Sequence, residues 1–308
     1  MLFFQNSRSK LRKIMLFFEE TAIIFFVLTL LLDVLLVIII ANKRNALAKN
    51  PTPVYEHTAI IEHHDTFVNQ PLPTIATHLE APVPRNVPVL MYHHIGIEYN
   101  GYLQEHPDRT DNNVVTPEDF EIQIKYLFEN GYSTCFFREI SNQECNDKAI
   151  ILTFDDGYRD FYFSAFPVLK KYQSKATIFV ITDLIGQDNY LTLDQILELK
   201  QSGLINFGSH TASHPALTSV NTVKLESELL TSKTTLEQIT GQSVTDFCYP
   251  GGSYNEAVIQ AVKKAGYLDA VTTVNGKWNF PATDSLQIKR IRVSFGEKLP
   301  AYIQSIAN

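Results

Sequence analysis

The chain of 308 residues holds only three cysteines, Cys135, Cys145 and Cys248, and no Cys-x-x-Cys pair. The residues for a thiolate zinc site are therefore missing. A disulfide between Cys135 and Cys145 is open, but free, partly buried thiols are the expectation. No net positive charge is present either. The formal charge is −7, and the first 50 residues are basic on balance, so the remainder is more acidic still. Such a body has no electrostatic basis for gripping nucleic acid, which excludes that class of partner. There is no internal repeat, and no histidine follows His214. What is plentiful is apolar residue, at 45% against 19% charged, enough for a packed globular core.

One long hydrophobic run exists, at residues 21–41. Sixteen of its residues are Ile, Leu, Val or Phe, and only Thr21, Thr29 and Asp33 are polar. As a helix it spans roughly 31 Å, enough to cross a bilayer. Each large apolar residue favours insertion by ~0.3–0.6 kcal/mol, whereas Asp33 costs ~2.5–3.5 kcal/mol, so the apolar sum wins. Arg8, Lys10, Arg12 and Lys13 precede the run, and Lys43, Arg44 and Lys49 follow it, a slight bias toward a cytoplasmic N-terminus. Ala46-Leu47-Ala48 resembles a signal-peptide cleavage site, but the run exceeds the usual apolar length of ~7–15 residues. The expectation is a cytoplasmic segment at 1–20, a single transmembrane anchor at 21–41, an extracytoplasmic linker at 42–86 and a catalytic domain at 87–308. Secretion after cleavage is the alternative.

Seven of the 14 prolines lie between Pro51 and Pro88, amid Thr, Asn and His without periodicity, which reads as an extended stalk. His57, His63, His64 and His78 are then solvated linker residues. From Val87 onward apolar strand runs alternate with helical patterns. The spacing predicts strands at 89–92, 132–137, 149–154, 176–181, 204–208, 244–249, 267–273 and 288–293. It predicts helices at 117–130, 160–172, 193–202, 223–239 and 255–265. The alternation indicates an α/β fold with a mostly parallel sheet, closed or nearly closed into a barrel.

Four elements carry chemistry. Thr153-Phe154-Asp155-Asp156-Gly157 ends the most apolar strand, and buried neighbouring carboxylates are costly unless paired or metal-bound. Read alone, they fit a turn equally well. Side chains next to each other near a strand end point to different sides, so one carboxylate can hold a cation while the other faces substrate. His210-Thr211-Ala212-Ser213-His214 follows another strand. On a helical turn its two imidazoles share a face and can grip one cation with an aspartate. Met91-Tyr92-His93-His94 places a histidine where it can act as a general acid, with His93 preferred to His94. Phe247-Cys248-Tyr249-Pro250-Gly251-Gly252 ends a strand in a turn whose N–H groups can lie bare beside a ligand. Tyr158, Tyr254 and Trp278 can stack on sugar rings, and a core role is at least as good a reading for each.

Together these elements resemble the polysaccharide deacetylase family, carbohydrate esterase family 4, over roughly residues 87–295. The Thr-Phe-Asp-Asp-Gly and His-Thr-x-x-His motifs are specific in combination. The resemblance implies a distorted (β/α)7-type barrel and hydrolysis of N-acetyl groups from an amino-sugar polymer. It implies Asp155 as catalytic base and Asp156, His210 and His214 as ligands of a divalent metal, usually Zn2+, with Co2+ or Ni2+ as alternatives. It implies the Tyr249 backbone N–H as an oxyanion donor. Two departures stand out. The third motif lacks its Arg, and the last strand, Arg290-Ile291-Arg292-Val293, lacks a histidine. The acid then falls to His93, an arrangement resembling the permuted subgroup that includes biofilm poly-N-acetylglucosamine deacetylases. The arginine that orients the base is left among Arg159, Arg290 and Arg292. The substrate expected is a poly-N-acetylglucosamine-type exopolysaccharide. Peptidoglycan N-acetylglucosamine is the alternative substrate, and an inactive glycan-binding protein on the same fold is the alternative of another class.

Overall fold

Ala149–Phe154, the apolar run before Asp155, is a strand buried at all six positions. An unalternated run of this kind needs a sheet covered on both faces. The computed structural model describes residues 84–96, 113–281, 285–294 and 296–307. The strands in chain order are β1 (Arg85–Val87), β2 (Val89–Tyr92), β3 (His94–Ile95), β4 (Val114–Val115), β5 (Ser133–Thr134) and β6 (Ala149–Phe154). They continue with β7 (Ala176–Val180), β8 (Ile205–Ser209), β9 (Asp246–Cys248), β10 (Asp269–Asn275), β11 (Trp278–Phe280) and β12 (Ile288–Arg292). Parallel pairing runs β2-β12-β10-β9-β8-β7-β6, and β6 pairs back to β2, which closes a ring of seven strands. The expected barrel is therefore present. β5 adds to the start of β6, and β1 and β11 form a separate antiparallel ribbon.

Helices cover the outside: α1 (Pro117–Glu129), α2 (Phe137–Ser141), α3 (Phe166–Lys171), α4 (Leu193–Gln201), α5 (Thr222–Thr240), α6 (Glu256–Lys264) and α7 (Leu299–Ala307). Their ends follow local chemistry. Thr116 accepts the Asp119 N–H at the start of α1, and Gly241, at φ 64°, closes α5.

Strand alternation sorts the core into two clusters. Leu90, Tyr92, Ile150, Leu152, Phe154, Ile178 and Val180 pack outward under the helices. Val89, Ile151, Phe179, Cys248, Val271 and Ile288 pack inward, where Trp278 and Phe280 of the ribbon join them. Gly208 belongs to this interior. A Cβ there would lie 2.4 Å from the Phe179 ring, so only glycine admits that ring.

Several expectations change. The stretch 132–137 is a strand only at β5, because Phe137 already opens α2. Cys135 and Cys145 are joined in a disulfide, not free, while Cys248 is a free buried thiol. The segment 210–214 is no helical turn; Thr211 and His214 sit at φ 66° and 60°, which no right-handed helix allows. The helix α7 and the β1–β11 ribbon were not expected. The run at 21–41 and nearly all of the linker lie outside the described residues. Among the described residues no helix is long and apolar enough to cross a membrane.

Candidate active site

The same alternation that builds the barrel core delivers the polar site. Asp155 and Thr153 continue the inward face of Ile151, His93 that of Val89, Arg290 that of Ile288, and His210 that of Gly208. These side chains come from four strands and meet at the C-terminal end of the ring. His94 falls on the opposite side from His93.

Asp155 is buried at 3% exposure, and Arg290 at 0%. The two form a forked pair, with Arg290 Nη1 2.7 Å from Oδ1 and Nη2 2.8 Å from Oδ2. Arg290 also donates from Nε to the Thr272 carbonyl, from Nη1 to Thr153 Oγ1 and from Nη2 to Cys248 Sγ. Its five N–H groups are thus all directed to acceptors, which fixes its plane. Burial alone would raise the Asp155 pKa, but the Arg290 charge and hydrogen bonds outweigh it and hold the carboxyl well below the usual carboxylate range. Burial keeps the Cys248 thiol protonated. Arg290, one of three arginines left open by sequence, is the partner of Asp155.

Asp156 leaves the strand at φ 72° and points its carboxylate to a different partner set. Its Oδ1 lies 3.3 Å from His210 Nε2 and 3.6 Å from His214 Nε2. The ligand atoms of the three residues all lie within 4.8 Å of one another. A tetrahedral cation with bonds of ~2.0–2.2 Å separates its ligands by ~3.3–3.6 Å, so this trio fits a divalent ion of the zinc type. His210 Nδ1 sits 2.8 Å from the Cys248 carbonyl. A carbonyl only accepts, so Nδ1 carries a proton. Burial lowers the His210 pKa, but Cys248 and Asp156 outweigh it and hold the pKa well above its ordinary value, so Nε2 sheds its proton when it takes a cation. His214 is held differently. Glu228, 1% exposed within α5, accepts from both the N–H and the hydroxyl of Ser213, at 2.8 and 2.5 Å. Thr211 Oγ1 accepts the His214 N–H. Glu228 was missed by sequence reasoning; its signal is a carboxylate amid the apolar residues of a helix.

His93 Nε2 lies 3.8 Å from Asp155 Oδ2, with 15% of the side chain exposed. Burial lowers its pKa, the Arg290 and Arg292 charges act the same way, and Asp155 and Asp156 only partly oppose them. The expected oxyanion donor fares less well. The Tyr249 N–H donates to the Val271 carbonyl at 3.2 Å within the sheet, and the side chain is fully buried with its hydroxyl on the Leu286 carbonyl. Pro250 has no N–H, Gly252 donates to Tyr249 O and Ser253 to Pro250 O. In this turn the exposed Gly251 N–H is the donor without a partner among the described residues. Trp278 is a core residue at 2% exposure, Tyr254 packs on Tyr249, and Tyr158 stacks on His94.

A family model for polysaccharide deacetylases matches residues 142–270. YxkH of Bacillus subtilis (strain 168), which carries a provisional polysaccharide deacetylase name, is 36% identical over 232 residues, covering 72% of this chain and 78% of its own length. The chain belongs to the polysaccharide deacetylase family, carbohydrate esterase family 4. It is a hydrolase acting on N-acetyl groups. The deacetylase is also 31% identical over 200 residues to the poly-beta-1,6-N-acetyl-D-glucosamine N-deacetylase of Staphylococcus epidermidis, covering 59% of this chain and 69% of that one. Among solved structures it is similar to the Streptococcus pyogenes deacetylase PplD in complex with acetate. The TM-score is 0.67 at 33% identity, covering 73% of this chain and 99% of the other. The matched segment 142–270 contains Asp155, Asp156, His210 and His214 but neither His93 nor Arg290. Those two reach the deacetylase site from β2 and β12, which pair with each other in the ring.

Proposed function

We propose that this deacetylase removes N-acetyl groups from N-acetylglucosamine units of an extracellular poly-N-acetylglucosamine polymer, with a divalent metal held by Asp156, His210 and His214. The observation that carries the reading is the convergence of those three donor atoms beside an aspartate that Arg290 keeps ionised. Zn2+ suits a two-nitrogen, one-oxygen set, and Co2+ or Ni2+ are the alternatives. When bound, the cation supplies Lewis acidity toward the acetamide oxygen and toward a neighbouring water. Asp155 accepts the proton of the attacking water, since its carboxylate is ionised and aimed by Arg290. His93 delivers a proton to the departing amine. The Gly251 N–H is the donor available for the oxyanion in place of Tyr249. Acetate and a free glucosamine unit are the products. Support for the polymer is the name of the Staphylococcus epidermidis relative.

The proposal extends to location. The 21-residue run at 21–41 anchors the chain once in the membrane, 1–20 stay inside, 42–86 are a linker and the catalytic domain works outside the cytoplasm. The Cys135–Cys145 disulfide supports this reading, because disulfides persist in oxidising compartments.

The test is acetate release from poly-β-1,6-N-acetylglucosamine oligomers and from peptidoglycan fragments, each with and without a chelator. The expected result is release from the oligomers that chelation stops and zinc restores. Release from peptidoglycan alone would reassign the substrate. Release that is indifferent to chelator, or glycan binding with no release from either, would overturn the reading.

A further inference from the structure

His94 is not used by the mechanism above, yet it is held on two sides. It is 8% exposed, and its Nδ1 lies 2.7 Å from Asp160 Oδ2. Its ring stacks on Tyr158 at 3.7 Å with an interplanar angle of 24°. Both partners belong to the segment that leaves β6 through Asp155 and Asp156. That segment turns at Asp156 and Gly157, at φ 72° and 79°. Aspartate enters this left-handed region more readily than most side chains do.

Two tethers bind that segment to the strand carrying His93, one on each side of His93. On one side the Asp155 N–H donates to the Tyr92 carbonyl at 2.9 Å. On the other, His94 grips Asp160 and Tyr158. His93 lies between them and faces Asp155. The β2–β6 ladder ends at Tyr92, so beyond it the distance of His93 to Asp155 is restrained by these two tethers together with the β3–β4 pairing at His94. The first is backbone and belongs to the barrel. The second is side chain and depends on His94 and Asp160.

We propose that His94 is a positioning residue: through Asp160 and Tyr158 it clamps the Asp155–Asp156 turn onto the His93 strand and so sets the spacing of acid and base. The inference rests on the roles given above to His93 and Asp155. The pairing and the stacking contribute separately, so they can be dissected. His94→Asn retains an N–H near the Nδ1 position without the stack. His94→Phe retains the stack without the hydrogen bond. Asp160→Ala removes the partner.

The test measures kcat and KM for acetate release from N-acetylglucosamine oligomers, melting temperature, and the His93–Asp155 spacing in crystals of the wild type and each variant. A misplacement of about 1 Å costs on the order of 100-fold in rate. Phe at 94 and Ala at 160 are therefore expected to lower kcat about 10- to 100-fold at little change in KM. Their double variant should be no worse than either single one, and Asn at 94 should recover most of the loss. In the crystals the spacing should widen in the impaired variants alone. Variants that lose melting temperature but keep kcat and spacing would reduce His94 to a structural role and overturn the inference. If the wild type releases no acetate, the functional reading fails, while the crystal spacing still decides whether the clamp exists.

Discussion

Two pairs of buried aspartates sit at opposite ends of the same barrel. Asp155 and Asp156 follow the last residue of β6, whereas Asp246 and Asp269 are the first residues of β9 and β10 and stand opposite each other in register. All four are at most 9% exposed, yet they behave in opposite ways. At the first pair, desolvation is outweighed by Arg290 and by the histidines, and both carboxyls are driven down. At the second, desolvation wins. Asp246 accepts from Asn206 and Thr245 but has only distant cations, and it is pushed up to about 6. Asp269 feels burial and then the Asp246 charge, and is pushed up to about 7. Residue type and burial are shared, so the neighbouring full charge decides which carboxylates serve as ionised groups. The difference separates a reactive end from a structural end.

The comparison breaks first if Asp155 can be neutralised without consequence. Asp155→Asn keeps the shape and removes the proposed base, and kcat should fall by about 10³-fold or more in an acetate-release assay. Arg290→Met leaves a carboxylate buried without its partner. The expected cost is about 3–5 kcal/mol, read by urea unfolding. At the other end the sign reverses. The Asp246 and Asp269 pKa values are raised above 3.8, so their stabilising contribution is full below that pH and is lost as pH rises through about 6 and 7. Asp269→Asn should therefore stabilise the protein above pH 7 by on the order of 2 kcal/mol and flatten the decline between the ordinary carboxyl value and about 7. Asp155 contributes in the opposite sense, with stability present above its unfolded value of 3.8 and lost as pH falls through its depressed folded value. A finer distinction concerns His93, whose pKa lies below 6.5. If the protonated ring is the acid, kcat/KM should decline on the alkaline side with an apparent pKa under that value, and His93→Gln should remove the limb. The smallest effect is expected at Tyr249, where Phe loses the hydroxyl bond to Leu286 and about 1 kcal/mol of stability, with kcat unchanged.

Most of the reactive end was legible because it follows strand parity. A period of two along β6 and β2 places Asp155 and His93 inward and His94 outward, and short motifs name their neighbours. The arginine was not legible. Arg290 reaches Asp155 across 135 residues, and no local pattern separates it from Arg159 or Arg292. The 210–214 turn was misread as helical because a four-residue spacing suits both a helix and a turn built on left-handed residues. Tyr249 was misassigned because sequence does not tell which N–H groups the sheet consumes. The disulfide depends on two loops meeting in space, which composition does not reveal. Asp246 and Asp269 drew no notice, since the register that sets them side by side exists only once the ring closes.

The central claim is that Asp156, His210 and His214 hold one divalent cation while Asp155 does not. Zinc binding by equilibrium dialysis to the wild type, Asp155→Asn and His210→Ala tests it most directly. About one zinc per chain is expected for the wild type and for Asp155→Asn, and almost none for His210→Ala. Full binding by His210→Ala, or loss of zinc on replacing Asp155 alone, would contradict the assignment.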